Sequence, residues 1–143
     1  MPPLLLLASA FVLLIVPFGW WDALRVALAM MFLMTASAHW GRRRADLIRM
    51  VPQAFPRPDL MVSLTGLFEV VGALGLLAKP VAGYAALGLT LLLLGIFPAN
   101  VRAAREHLTI GGRQATPLVW RAAIQIIFLT ATVAVGLGDR HRL

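Results

Sequence analysis

Long apolar runs separated by short arginine-rich connectors dominate the pattern of this chain. Five such runs stand out, at residues 1–21, 23–40, 60–78, 80–97 and 118–137. A helix that crosses a bilayer needs about 20 residues, and the backbone groups of a segment in lipid must be hydrogen-bonded within that segment. The pattern therefore predicts one transmembrane helical domain over residues 1–143, with helices at approximately 4–19, 22–40, 60–78, 81–98 and 118–137.

The first apolar run is open to two interpretations. Its leucine-rich centre at 4–16 is followed by Pro17 and Gly19, which favour a turn, and by paired tryptophans, which favour a membrane interface. A cleaved signal peptide is the alternative. It needs a basic residue before the apolar core, and this run has none, while the small triplet at 36–38 lies too far along the chain to be its cleavage site. We expect a short spanning or half-buried helix.

Composition supports a membrane protein. Hydrophobic residues make up 60% of the chain and charged residues 13%, whereas a soluble domain usually has about 25% charged residues. The predicted fold class is thus an all-α membrane protein, a four-helix transmembrane bundle with an additional N-terminal hydrophobic helix. The chain has no cysteine, which excludes thiol and disulfide chemistry of its own.

The net charge of +7 resides mainly in two connectors. On one side of the predicted helices are Arg42, Arg43, Arg44, Arg49, Arg57, Arg102, Arg105, Arg113 and Arg121, and on the other are Arg25, Lys79, Arg140 and Arg142. Because basic residues concentrate on the cytoplasmic side of membrane proteins, we expect loops 41–59 and 98–117 in the cytoplasm and the chain in the cell's inner membrane. This distribution fits binding to the lipid bilayer better than binding to nucleic acid, which we do not expect.

Glu69 is the clearest candidate for chemistry, because ionisable groups inside lipid are costly and often mark a functional site or a buried pair. It lies about 13 Å along the third predicted helix from Leu60. Its neighbours on the same helix face include Gly66 and Gly72, and small residues allow helices to approach closely. We therefore expect Glu69 to point toward other helices.

Polar side chains on three other predicted helices fall in the same half of the membrane. They are His39, Asn100, Arg121 and Gln125. One hypothesis is structural, with Glu69 neutral or bonded to Arg121 or Gln125 and fixing the register of the bundle. The other is a ligand pocket open to the cytoplasm, formed by all five residues, in which Glu69 exchanges a proton as a quinone or a similar small molecule binds. We find no spacing of ligands typical of a metal site and expect none.

Several short motifs together resemble DoxX-like membrane proteins. They are Arg49-Met50-Val51-Pro52, Leu64-Thr65-Gly66 with Glu69, Gly72 and Gly75-Leu76-Leu77, then Phe97-Pro98-Ala99-Asn100, and Arg121 with Gln125. The resemblance covers roughly residues 25–137 and implies a four-helix core. Near His39 the family commonly has a glycine and a phenylalanine where this chain has Ala36 and Trp40.

Relatives in that group have been linked to quinone-coupled sulfur oxidation and to oxidative-stress complexes. The small-residue helix faces and the lack of soluble catalytic machinery favour a non-catalytic partner or accessory subunit, and the resemblance implies that it belongs to a membrane redox assembly. We expect it to associate with redox subunits or with copies of itself. The alternative is a protein that binds a quinone or another small lipophile in a cytoplasm-side polar pocket. We expect no enzymatic activity from the chain alone; if it takes part in catalysis, it does so within a quinone-linked oxidoreductase.

Overall fold

The chain folds almost entirely into helices. The computed structural model describes residues 2–140, except the side chains of Phe18, Asp139 and Arg140, so Arg142 of the orientation argument lies outside the described residues. The helices are α1 (Pro2–Phe18), α2 (Trp20–Ser37), α3 (Arg44–Met50), α4 (Pro58–Leu77), α5 (Ala82–Arg105) and α6 (Leu118–Arg140), with a 3₁₀ turn at Lys79–Val81 and a two-stranded hairpin of β1 (Thr109–Ile110) and β2 (Arg113–Gln114).

Within residues 2–140, three helical stretches are long and apolar enough to cross a membrane. They are Pro58–Leu77, Lys79–Arg105 and Leu118–Gly138, and α1 contributes a shorter apolar helix over Pro2–Pro17. Only 22% to 28% of the residues in each of the three long stretches are buried within the protein. Their remaining surface is therefore available to lipid, and this accounts for the high apolar content of the sequence.

Helix α2 lies at the centre of the packing. It contacts α1 on one side and α4 and α6 on the other, and much of its surface is buried by these helices. It also carries Asp22 and Arg25 in its first two turns. A helix surrounded by protein can carry more polar residues than one that faces lipid, which explains why α2 is less apolar than the three long stretches.

The contacts between helices show which helices are neighbours. Helix α4 packs on α2 and α5, and α6 packs on α5 and over a shorter stretch on α2, so α4 and α6 occupy opposite positions. Helix α1 folds back on α2 after Gly19, whose φ of 75° permits the turn, and places Leu7 and Ala10 in the core.

Glycines bring α4 and α5 into close contact. A Cβ atom on Gly72 would lie 2.5 Å from Leu89 Cδ2, and one on Gly75 would lie 2.7 Å from the Cβ of Ala85. Ala73 and Leu76 on α4 and Ala82 and Ala86 on α5 are fully buried. The small-residue face predicted around Glu69 is therefore an interhelical face.

Both arginine-rich connectors meet at one end of the molecule. The backbone N–H of Gly111 donates to Asp46 Oδ2 at 2.7 Å, Arg49 donates to the carbonyl of Thr109 at 3.3 Å, and Arg102 donates to the carbonyl of Val51. At the opposite end, Asp22 pairs with Arg25 at 2.9 Å and with Lys79 at 3.5 Å.

The prediction that the fourth helix ends at residue 98 is wrong, because α5 continues through Pro98 to Arg105. Proline disfavours a helix interior because it lacks an N–H group and its ring crowds the carbonyl four residues earlier. Helix α6 bonds α5 on both sides of this position, at Leu93 and Asn100. Loop 98–117 is correspondingly shorter than expected and contains the hairpin, with Gly111 and Gly112 at φ 59° and 77°. Loop 41–59 contains α3.

Replacing Gly75 by Ala should destabilise the protein, because the added Cβ would overlap Ala85 Cβ, which cannot move without the backbone of α5. We expect a loss of about 1–3 kcal/mol, measured as a lower thermal unfolding temperature in mild detergent. Gly95→Ala in α5 is the control, since a Cβ there meets nothing within 4 Å. It should be neutral or stabilising by up to about 1 kcal/mol. Equal unfolding temperatures for the two variants would contradict this account of the α4–α5 contact.

Candidate functional site

The five predicted site residues separate into two groups. Glu69 and His39 lie at the contact of α2 with α4, whereas Asn100, Arg121 and Gln125 lie at the contact of α5 with α6. Within residues 2–140, Glu69 has no hydrogen bond or ion pair to Arg121 or Gln125. The expectation of that pairing is wrong because α4 and α6 occupy opposite positions in the packing.

Glu69 is buried near the middle of α4, with 5% of its surface exposed. It lies about 17 Å along the helix from Pro58. Its Oε2 lies 2.7 Å from the Oγ1 of Thr35 on α2. The carboxyl group therefore points toward another helix, as the sequence predicts, and its partner is a hydroxyl group.

Thr35 has two acceptors for a single hydroxyl proton. Its Oγ1 lies 2.9 Å from the carbonyl oxygen of Phe32 and 2.7 Å from Glu69 Oε2. If Thr35 donates to Phe32, Glu69 must be protonated and donate to Thr35. If Glu69 is ionised, the Thr35 hydroxyl must donate to Glu69 and can no longer donate to the carbonyl of Phe32. Proton gain or loss at Glu69 is thus coupled to rotation of the Thr35 hydroxyl.

His39 completes this cluster just beyond the end of α2. Its Nδ1 lies 3.3 Å from the carbonyl oxygen of Thr35 and 4.0 Å from Glu69 Oε2. The short distance to the carbonyl favours the tautomer in which Nδ1 carries the proton and donates it. Burial lowers the pKa of His39, and the nearby charge of Arg44 acts in the same direction. The imidazole is therefore mainly neutral at pH 7.

Gly66 allows the His39 ring to lie against α4. A Cβ atom on Gly66 would come within 2.6 Å of His39 Cβ and 2.9 Å of Trp40 Cη2. Trp40 is 53% exposed, and its ring centroid lies 6.2 Å from that of His39. We name Thr35, His39 and Glu69 the acid cluster.

Arg44 fixes the turn that follows α2. Its guanidinium donates to the carbonyl of His39 at 2.8 Å, to the carbonyl of Asp59 at 3.2 Å and to Ser63 Oγ at 3.0 Å. It thereby satisfies a carbonyl at the end of α2 and links that end to the first turns of α4. The acid cluster is held in place from the arginine-rich end of the molecule.

The second group supports α5 around its internal proline. Gln125 Nε2 donates to the carbonyl of Leu93 at 2.5 Å, and Arg121 Nη1 donates to Asn100 Oδ1 at 2.7 Å. Pro98 has no N–H, so the carbonyl of Leu94 loses its helical donor in this region. The side chains of Gln125 and Arg121 on α6 thus bond α5 on both sides of Pro98. Their role is structural.

Sequence reasoning missed Thr35 and Arg44. Thr35 lies four residues before His39 and therefore on the same helix face, so the signal was present. Arg44 was counted only for its charge, because the length of the turn after α2 cannot be derived from composition. Within residues 2–140, no group of three or more His, Cys, Asp or Glu side chains is arranged to hold a metal ion.

A family model described as "Domain of unknown function (DUF8561)" matches residues 28–136, which include all of the acid cluster and the second group. No curated protein and no solved structure matches the chain.

Thr35→Val should destabilise the protein by about 1–2 kcal/mol, because the buried Glu69 carboxyl loses its hydroxyl partner. Thr130→Val is the matched control: Thr130 is exposed on α6, and its hydroxyl donates within its own helix to the carbonyl of Ile126 at 2.8 Å. Thermal unfolding in detergent measures both. If Thr35→Val unfolds at the temperature of Thr130→Val, the hydrogen bond between α2 and α4 contributes nothing.

Proposed function

Because the chain belongs to the DUF8561 family, whose function is unknown, we propose a function from the geometry and the sequence. The protein is an integral membrane protein of the cell's inner membrane, built as a four-helix transmembrane bundle of α2, α4, α5 and α6 with α1 as an additional N-terminal helix. It acts as a non-catalytic partner or accessory subunit of a membrane redox assembly. The DoxX-like resemblance is the basis for the redox part of this proposal.

The membrane topology is supported by the location of charge. Both arginine-rich connectors lie at the same end, where hydrogen bonds join α3 to the hairpin. The positive-inside rule favours the cytoplasm for that end. Helix α2 has 18 residues and is about 27 Å long, close to the thickness of a bilayer core.

One observation favours association with another membrane helix. Tyr84, Gly88, Leu91 and Gly95 follow each other at spacings of four, three and four residues, so they share one face of α5. All four are exposed, and a Cβ atom on either glycine would meet nothing within 4 Å. Alternating small and large residues on an outward face are typical of helix–helix contacts in membranes. We name this face the α5 stripe.

Filling the α5 stripe should weaken association. We expect Gly88→Leu with Gly95→Leu to reduce partner or self-association by at least 10-fold, measured by chemical cross-linking in membranes and by co-purification in mild detergent. The added side chains block close approach of a second helix. The control is Ala8→Leu, which adds the same side chain to an exposed position of α1. A wild-type protein that is monomeric and free of partners, or equal association of both variants, would contradict the accessory role.

The acid cluster supports a second candidate function, the binding of a quinone or a similar small lipophile. A quinone carbonyl accepts hydrogen bonds, and a protonated Glu69 is a donor. The Thr35 hydroxyl lies beside it and reorients when Glu69 gains or loses a proton, and the neutral His39 ring lies 4.0 Å away. In this function Glu69 and His39 contact the ligand, and Asn100, Arg121 and Gln125 keep α5 in position.

This alternative is tested by titrating a soluble quinone analogue and following tryptophan fluorescence, because Trp40 adjoins the cluster. We expect Glu69→Leu to weaken binding by about 10-fold or more, since leucine keeps much of the volume but removes the hydrogen-bond donor. The control is Glu106→Leu, which changes an exposed carboxylate paired with Arg102. Unchanged affinity in Glu69→Leu would remove the acid cluster from the ligand site.

A further inference from the structure

A cleft lies at the arginine-rich end, away from the acid cluster. Its volume is about 390 Å³, within the range of sites that hold small molecules. Its walls come from α3, from the segment between α3 and α4, and from the end of α5. None of the five predicted site residues lines it.

The lining of the cleft combines cationic and apolar groups. Arg49, Arg102 and Gln53 provide polar side chains, and Ile48, Phe55 and Leu108 provide apolar surface. Phe55 is 45% exposed, so part of its surface is available to a ligand. A ligand that fits these walls carries both an anionic group and an apolar portion.

Both guanidinium groups are held in place and retain unused donors. Arg102 bonds through Nη1 to the Val51 carbonyl and through Nε to Glu106, which leaves Nη2. Arg49 bonds through Nη2 to Asp46 and to the Thr109 carbonyl, which leaves Nη1 and Nε within the described residues. Because the two side chains are already ordered, binding an anion costs them little conformational entropy.

The surrounding charge is positive even after its carboxylates are counted. Residues 41–59 and 98–117 contain eight arginines against Asp46, Asp59 and Glu106. The backbone N–H of Gly111 and the Arg49 side chain hold the pKa of Asp46 below its usual range, so that carboxylate stays ionised and pairs with Arg49. An excess of arginines remains to attract an anion to the cleft.

The cleft lies at the level where lipid phosphates are found. Pro58, which begins α4, and Arg102, in the last turn of α5, are both part of its wall. If α4 and α5 span the membrane, their ends lie at the headgroup layer, and α3 lies along the same surface.

We propose that this cleft binds the phosphate headgroup of an anionic membrane phospholipid, with Arg49 and Arg102 bonding the phosphate and Phe55 contacting the glycerol and upper acyl region. Arginine guanidinium groups suit phosphate because their donors match its oxygens. The site rests on the membrane placement proposed above and does not depend on a partner protein or on the acid cluster. It would fix the arginine-rich end to the anionic leaflet.

The experiment uses the full-length protein in a neutral detergent, titrated with dioleoylphosphatidylglycerol and, separately, with zwitterionic dioleoylphosphatidylcholine and with sodium phosphate. Bound lipid is counted by native mass spectrometry, and binding also raises the unfolding temperature. We expect phosphatidylglycerol to bind at least 10-fold more tightly than either of the others. Arg49→Gln and Gln53→Ala should each weaken that binding by about 5-fold or more.

Arg105→Gln is the matched control, because it removes the same charge from an exposed position of α5 that does not line the cleft. It should change the affinity less than 2-fold. Equal losses in Arg49→Gln and Arg105→Gln would show attraction by overall charge and overturn the site. Equal binding of phosphatidylcholine, or of free phosphate, would overturn the assignment to an anionic lipid. Gln53→Ala is included because Arg49 and Arg102 both also bond backbone carbonyls, those of Thr109 and Val51. Failure of lipid binding leaves the accessory role standing.

Discussion

A buried carboxyl group that must find its hydrogen-bond partner inside the protein determines how α2 and α4 meet. Glu69 lies near the middle of an apolar helix, where an unpaired polar group costs several kcal/mol. Thr35 provides the partner, and this contact requires the end of α2 to lie beside Glu69. The same contact between α2 and α4 requires glycine at position 66, because only a residue without a Cβ leaves room for the His39 ring. Arg44 donates to the carbonyl of His39, which lies just beyond the C-terminal end of α2.

A second set of polar contacts joins α5 to α6. Gln125 and Arg121 attach α6 to the region of Pro98, and Thr90 donates to Thr132 at 2.9 Å further along the same interface. The polar groups of the bundle are thus used in pairs of adjacent helices. This division places the Glu69 carboxyl at the α2–α4 contact and Arg121 and Gln125 at the α5–α6 contact.

The sequence predicts the helical class, the long apolar helices and the inward direction of Glu69, because hydropathy and helix periodicity are local properties. It does not predict which helices are neighbours. Glu69, Arg121 and Gln125 lie at similar depths, and depth alone suggested that they meet. The structure separates them because the packing order puts α4 opposite α6. The continuation of α5 past Pro98 was missed because proline usually ends or kinks a helix, and the contacts of α6 with α5 on both sides of Pro98 cannot be seen in the sequence.

The most direct test of this account uses the absence of cysteine from the chain, which makes introduced thiols the only ones present. His39→Cys with Gly66→Cys, which leaves Thr35 and Glu69 in place, is treated in membranes with the shortest bifunctional thiol reagents, beside Gln125→Cys with Gly66→Cys. The account predicts efficient intramolecular cross-linking of the first pair and little of the second, because the face of α4 that carries Glu69 meets α2 and not α6. Cross-linking of the second pair without the first would contradict it.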